Sequence, residues 1–535
     1  MKKSGIALIA AVCIAAASVI GGCAGGNTKA GDPAVRAGYA SGQAESASGH
    51  AESASDRAES APDQAESASD QAKSASDRAE NASAQAGAGK DGGGIRIEFW
   101  HYYNDAQKEH LDQLVDEYNR TVGSGKGVTV EAYTQGSIAD LTNKIDVVLN
   151  GSGNNLDMAN IVLAYRDMVV NTVKLHPDRL VELSGALPRE ELEQYNEAYL
   201  KEGYIDGKLY ILPVAKSTEL LLMNQTRLDE FIKDNPEYKR EDMRSWKGLE
   251  KMAEGYYRWT DDMTPDIPGD GSPFIGVDDL ANYFIAMNHA MGSDIYHYDQ
   301  NGRVEPDLDR DIITRLFLNY YEPFTKGYYG ANGRYRSDDV KQSYLAGYIG
   351  SSSSVLYFPE EVADAEGDMA PITTGVYRYP VMEGTKPTAI QQGAGVAVFN
   401  RSEAENRAAL DFIHWLTIER GVELATSMSY MPVGGHSITP EQEKQIADPR
   451  VRSGIETGLD QSGSYQMVYG FDFENSYDVR VLVDTCFTEA LSQGRQEFLG
   501  YLAQGLTMEE ASGSMEYDKK AEAFYERVKA IFEDI

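Results

Sequence analysis

Hydrophobic and polar residues recur with two different periods along residues 95–535, and each period marks an element. Ile95-Arg96-Ile97-Glu98-Phe99-Trp100 alternates every second residue, which predicts a strand. Leu111, Leu114, Val115 and Tyr118 then recur at spacings of three and four, which predicts a helix over 107–118. A short strand at Val128-Thr129-Val130, an amphipathic helix over Ile138–Leu149 and a buried strand over 158–163 follow. This β-α-β-α-β order predicts a parallel, doubly wound sheet in an α/β fold. Further strands are expected at 209–213 and 220–223, and helices at 246–257, Leu280–Met291, 311–321, 403–427, 479–492 and 517–532. About 440 residues exceed what one core ordinarily serves, so two α/β lobes are expected. Ligands of such sheets bind beyond the carboxyl ends of the strands, which for two facing lobes is the cleft between them.

Residues 1–94 follow other rules. Met1-Lys2-Lys3 supplies a positive charge, Gly5 to Ile20 is apolar, and small residues lead to Cys23, as in a secretory signal. Ile20-Gly21-Gly22-Cys23 resembles a bacterial lipobox, which implies a signal peptide over 1–23 and a lipid anchor on Cys23. The apolar run of about 16 residues is shorter than the roughly 20 needed to span a bilayer. From Ala44 a heptad recurs as AESASGH, AESASDR, AESAPDQ, AESASDQ, AKSASDR and AENASAQ. Its alanines mark an a/d spacing but bury little area, and Ser and Asp fill most other positions. Segment 24–94 is therefore expected to be a low-complexity tether, disordered or an alanine-seamed stalk, with a reach near 45–50 Å if flexible.

Composition narrows the classes. The chain of 535 residues carries 49 Lys+Arg against 84 Asp+Glu, a formal −35. Segment 1–94 holds 8 and 11 of these, so −32 belongs to the remainder. Such a surface repels phosphate backbones, which argues against nucleic acid as a partner. Three cysteines form no disulfide framework, and Cys486 is expected as a small core residue on a helix. The 33 tyrosines suit a protein that offers flat rings with polar tips to a polar ligand.

No catalytic signature emerges. Gly123-Ser124-Gly125-Lys126-Gly127 lacks the spacing and the hydroxyl of a phosphate-binding loop and reads as a surface turn. H-E-x-x-H and G-x-S-x-G are absent. Asp307, Asp309 and Asp311 alternate like a calcium loop, but Ile312 stands where glycine is needed and no Glu closes it. The expectation is no enzyme, no metal and no cofactor. A surface-tethered glycan-active enzyme with an unrecognised carboxylate pair, or an adhesion or scaffold protein, stands as the alternative.

Several segments, in order along 95–535, resemble the family 1 extracellular solute-binding lipoproteins of ABC importers. They are Ile97-Glu98-Phe99-Trp100-His101, Asp206 to Pro213 with Ser217-Thr218, Ser245 to Leu249, Tyr344 to Gly347 with Ser351 to Ser354, Gln392 to Val398, and Tyr430-Met431-Pro432-Val433. The glycerol-3-phosphate-binding and sugar-binding type is the most similar. The resemblance implies a two-lobed periplasmic-binding-protein-like fold with crossovers near 213–220, 376–380 and 401–406. One lobe would then hold about 95–213 and 377–405, the other 214–376 and 406–535.

It also implies ligand-binding roles for Trp100, His101, Ser217, Gly393, Tyr430 and Arg480, and marks Asp278, Asp279 and Tyr283 as cleft candidates. Two positions depart from the type: Ser137 stands where it has Tyr, and Ala164 with Tyr165 stands where it has Glu. Ser137 and Tyr165 remain candidates, but loss of the carboxylate turns the expected solute toward a sugar, oligosaccharide or other polyol derivative. Each residue also has a packing, capping or hinge reading. The implied protein is a monomer outside the cell, lipid-anchored, which closes on its solute and delivers it to ABC permease subunits.

Overall fold

Ile95–His101 is the second strand of a five-stranded sheet, flanked by Val128–Thr134 and Ile161–Ala164 in parallel. Gly395–Val398 adds antiparallel to Ile161–Ala164, and Leu212–Pro213 adds antiparallel to that. The computed structural model describes residues 94–534 apart from 152–157, 268, 301, 365–366, 435–437, 445 and 474. The expected signal peptide 1–23 with Cys23, and all but the last residue of the tether 24–94, lie outside the described residues.

Helices cover this sheet because their apolar stripes match it. Asp105–Tyr118 turns Leu111, Leu114, Val115 and Tyr118 inward. Phe412 of Glu403–His414 packs edge-on against Phe99 at 6.3 Å and Tyr118 at 4.9 Å. That helix starts with a capping box between Ser402 and Glu405, an arrangement that contributes about 1 kcal/mol.

The second lobe is built on Ser217–Asn224, buried at every position. Gly347–Ser351 pairs with one edge of it, and Thr374–Arg378 and Thr388–Gln392 share the other. Ile275–Val277 and Gln466–Val468 complete the six-stranded sheet. Trp246, fully buried, lies within 5.1–6.5 Å of Tyr283, Tyr379, Tyr320 and Tyr329, so much of the tyrosine count serves this core.

The lobe boundaries differ from expectation. Residues 374–392 pair with Ser217–Asn224 and so belong to the second lobe. Residues 408–433 share the core of Ile97 and Phe99 and so belong to the first. A strand's lobe is set by its pairing partner, which local spacing does not specify. The chain crosses between lobes at Val214–Lys216 and at Gly393–Ala394, and Val433 and Ile438 belong to different cores.

Candidate functional site

Tyrosines of the first lobe face polar groups of the second across the crossovers. Tyr165 follows Ile161–Ala164 and opens the helix Arg166–Leu175. Its ring stacks on Tyr102 at 5.9 Å and 15°, with the hydroxyls 3.0 Å apart. Burial pushes the Tyr165 phenol up to about 12, with the hydrogen bond to Tyr102 opposing. Burial also raises Tyr430, whose hydroxyl lies against Gln107 of its own lobe and Ser353 of the other. These neutral phenols offer ring faces and hydroxyls together.

The second lobe contributes charge. Asp279 caps the helix Leu280–Met291 by accepting from the Asn282 amide. Arg480, on Ser476–Ala503, donates to Asp279 Oδ2 at 2.5 Å and to Asn282 Oδ1 at 2.6 Å. Behind them Glu219 is fully buried, accepts from Asn282 Nδ2 at 2.7 Å, and has no protein partner for Oε2. Burial pushes its carboxyl up to about 8, and the neighbouring Asp279 carboxylate adds to the shift. Asp278, accepting from the Arg336 amide at 3.2 Å, is pushed up to about 6 by burial. Asp484 accepts from the Leu280 amide at 3.0 Å. Arg480 thus stands with the carboxyl groups of Asp279, Glu219 and Asp484, its Nη2 engaged by Asp279 and Asn282, while Arg336 stands beside Asp278.

The crossovers form a buried polar hinge. Lys216, 1% exposed, donates to Glu202 Oε2 and to the Gly393 carbonyl, both at 2.7 Å. Gln391 donates to the same Glu202 oxygen at 2.5 Å, and Lys216 and Met431 exchange backbone bonds. Gly393 has φ +95°, and a Cβ there would lie 2.3 Å from the Ala215 carbonyl oxygen, so only glycine fits. Beside the hinge Arg166 donates to Asp472 of the other lobe at 2.6 Å, which also accepts from Tyr296 at 2.7 Å and Tyr298 at 2.9 Å.

The candidates thereby separate. Arg480 and Asp279 meet in an ion pair with Asp278 next in the chain, while Tyr165 and Tyr430 stand on the first lobe. Tyr283 is fully buried, donating to the Leu316 carbonyl and accepting from Asn319, because it sits on the inner face of its helix. Trp100, 4% exposed, lies inside the first lobe with the Lys144 ammonium 3.9 Å from its ring. His101 is also fully buried there, its Nδ1 accepting from the Tyr103 amide, and burial lowers it to about 4. Ser137 is committed to a capping box with Asp140. Ser217, paired with Gln392, and Gly393 belong to the hinge.

Tyr102, Glu219 and Lys216 escaped sequence reading. Glu219 had a signal, a carboxylate in the otherwise uncharged run Ser217-Thr218-Glu219-Leu220-Leu221-Leu222-Met223-Asn224. Tyr102 stood two residues past Trp100, but where a strand ends decides which ring emerges. Among the described residues no His, Cys, Asp or Glu cluster has the makings of a metal site, and no helix is long and apolar enough to cross a membrane. Cys486 is buried on its helix, and Asp309 caps Arg310–Lys326.

Residues 113–446, more than half the chain, match the family described as bacterial extracellular solute-binding protein, and the chain belongs to that family. A comparison with curated protein sequences finds no match. Among solved structures, the chain is similar to the cyclic α-maltosyl-1,6-maltose binding protein of Arthrobacter globiformis, with TM-score 0.61, 17% identity, 83% of this chain and 100% of that one. UgpB of Mycobacterium tuberculosis, solved with glycerophosphocholine, gives TM-score 0.54 and 18% identity over 83% and 99%. The substrate-binding protein of Listeria monocytogenes solved with cycloalternan gives 0.54 and 14% over 81% and 99%. At these identities the likeness establishes the fold.

Proposed function

We propose that this chain is a receptor for a neutral, polyhydroxylated solute, a sugar or oligosaccharide, that it captures by lobe closure and hands to an ABC permease. The carrying observation is the cleft's chemistry: stacked tyrosines stand on one lobe, and Arg480 stands with Asp279, Glu219 and Asp484 on the other. A phosphate at Arg480 would have to sit among the carboxyl groups of Asp279, Glu219 and Asp484. Sugar hydroxyls, by contrast, donate to carboxylates and accept from the guanidinium, while their C–H faces cover the rings. Specificity then comes from buried polar groups that the wrong solute leaves unpaired. A cyclic α-maltosyl-1,6-maltose binding protein and a substrate-binding protein solved with cycloalternan, both of this fold, support the class.

Thermal unfolding of the protein against neutral sugars, oligosaccharides, polyols and glycerol phosphates tests this. A ligand at 100 times its Kd stabilises the native state by about 2.7 kcal/mol. The expected result is a shift with neutral carbohydrates; a shift confined to phosphates would overturn the reading. We further propose that diacylglycerol on Cys23 holds the receptor to the cell surface through segment 24–94, as a monomer. Mass spectrometry of membrane-extracted protein would show the acyl mass on a peptide beginning at Cys23, and Cys23→Ser would release the protein to the medium.

A further inference from the structure

The two lobes are bonded to each other, away from the crossovers, by side chains whose partners are all protein groups. We propose that Arg166 and Asp472, braced by the hairpin Ile295–Asp307, form a latch that holds the lobes together in the solute-free protein. Its bearing on capture rests on the receptor reading; the latch itself rests on the contacts between the lobes.

Arg166 is fixed in the first lobe. It opens the helix Arg166–Leu175, whose Met168, Val169 and Val170 belong to the first-lobe core, and its Nη1 donates to the carbonyls of Glu202 at 2.5 Å and Tyr204 at 2.7 Å. Its Nε is left to reach across to Asp472 Oδ2 at 2.6 Å. Asp472, 6% exposed, stands between Phe471 and Phe473 of the second-lobe core. A pair this far from water is screened much less than a surface pair, and losing one member strands the other charge.

The hairpin completes the carboxylate's bonding. Its strands Ile295–Tyr298 and Val304–Asp307 form a two-stranded sheet of their own, apart from both large sheets. Such a hairpin has little stability by itself, so its side chains hold it in place. Tyr296 packs edge-on against Phe473 at 4.9 Å and Phe471 at 6.0 Å. Tyr296 and Tyr298 both donate to Asp472 Oδ1, at 2.7 and 2.9 Å, which leaves Oδ2 turned to Arg166. The Tyr298 ring also lies 4.3 Å from the Lys174 ammonium of the first-lobe helix, a second cation bridging the lobes. Ser476 donates to Asp167 at 3.3 Å beside them.

Arg166 directly follows Tyr165, and Ser476 opens the helix of Arg480, so these bonds join the two segments that carry the proposed cleft residues. Lobes already held together leave less ordering for the solute to impose.

The test is hydroxyl-radical footprinting of the full chain without added solute, read by peptide mass spectrometry. Oxidation of the partly buried Tyr165 and Tyr430 reports on the cleft, and that of the fully buried Tyr199 and Tyr283 on the two lobe cores. In Asp472→Asn the cleft tyrosines are expected to oxidise about 3- to 10-fold faster than in the parent, with the core tyrosines unchanged. Tyr298→Phe removes one hydroxyl from a 38% exposed residue, and a rise of about twofold is expected. Cleft rates equal to the parent's in both variants overturn the latch. A rise shared by Tyr199 and Tyr283 reports loosened cores rather than parted lobes and also overturns it. Neither outcome bears on the solute, whereas a thermal panel without any stabilising carbohydrate overturns the receptor reading and leaves the latch standing.

Discussion

Removing the Lys216 ammonium is expected to destabilise the whole two-lobed body. Lys216 is 1% exposed and joins Glu202 and the Gly393 carbonyl at 2.7 Å each, across two chain crossovers. Lys216→Met keeps the volume and leaves the buried Glu202 carboxylate with the Gln391 amide and without its ammonium partner. Breaking a buried ion pair by losing one member costs about 3–5 kcal/mol, because the remaining charge is uncompensated. At an unfolding entropy of about 2.1 cal/mol/K per residue over about 440 residues, that lowers Tm by roughly 3–5 °C. Differential scanning calorimetry and urea titration at pH 7 measure it. Lys216→Met combined with Glu202→Gln removes both charges and lets two amides pair, so it is expected to recover more than half the loss. A single variant within about 1 °C of the parent would refute this account of the hinge, as would a double variant no better than the single.

Arg480→Ala and Tyr430→Ala are each expected to weaken solute binding at least tenfold, about 1.4 kcal/mol, with little change in Tm; near-parental affinity in both would remove the site assignment. Gly393→Ala, which places a methyl 2.3 Å from the Ala215 carbonyl oxygen at φ +95°, is expected to cost about 1–3 kcal/mol in urea unfolding. Glu219 supplies a pH signature, because burial raises its folded-state value from 4.5 to about 8. A raised acid favours folding below its unfolded value and loses that contribution as pH climbs through the folded one. Glu219→Gln should therefore gain stability on the parent between pH 4.5 and 8, and a stability difference independent of pH would count against the burial of an unpaired carboxylate.

The first lobe was legible because its strands and helices follow directly one after another. The alternation in Ile95-Arg96-Ile97 and the helical spacing of Leu111 to Tyr118 each needed only local neighbours. Leu280–Met291 appeared at its expected bounds, since Asp279 caps it and Gly292 adopts φ +93° to end it. The helix expected over 403–427 instead breaks at Trp415–Glu419 into a π-helical turn, which period counting does not reveal. Lobe membership of 377–392 and 408–433 differs from the expectation because both segments pack on chain more than a hundred residues away.

The same division runs through the site. Residue types that can meet a polar solute, Tyr165, Tyr430, Asp278, Asp279 and Arg480, stood out from chemistry and resemblance alone. Tyr283, Trp100 and His101 carried equally suitable chemistry, yet the fold turned them into the core. Glu219 and Lys216 show the reverse, charged side chains whose burial follows from the pairing of Ser217–Asn224 with distant strands. The periods of side-chain polarity set the elements, the export-like amino terminus and the acidic balance, because those depend on residue type and near neighbours. Which side of a helix faces the cleft, which lobe owns a strand, and that Arg480 meets Asp279 rather than open solvent depend on contacts between segments far apart in the chain, and only packing creates them.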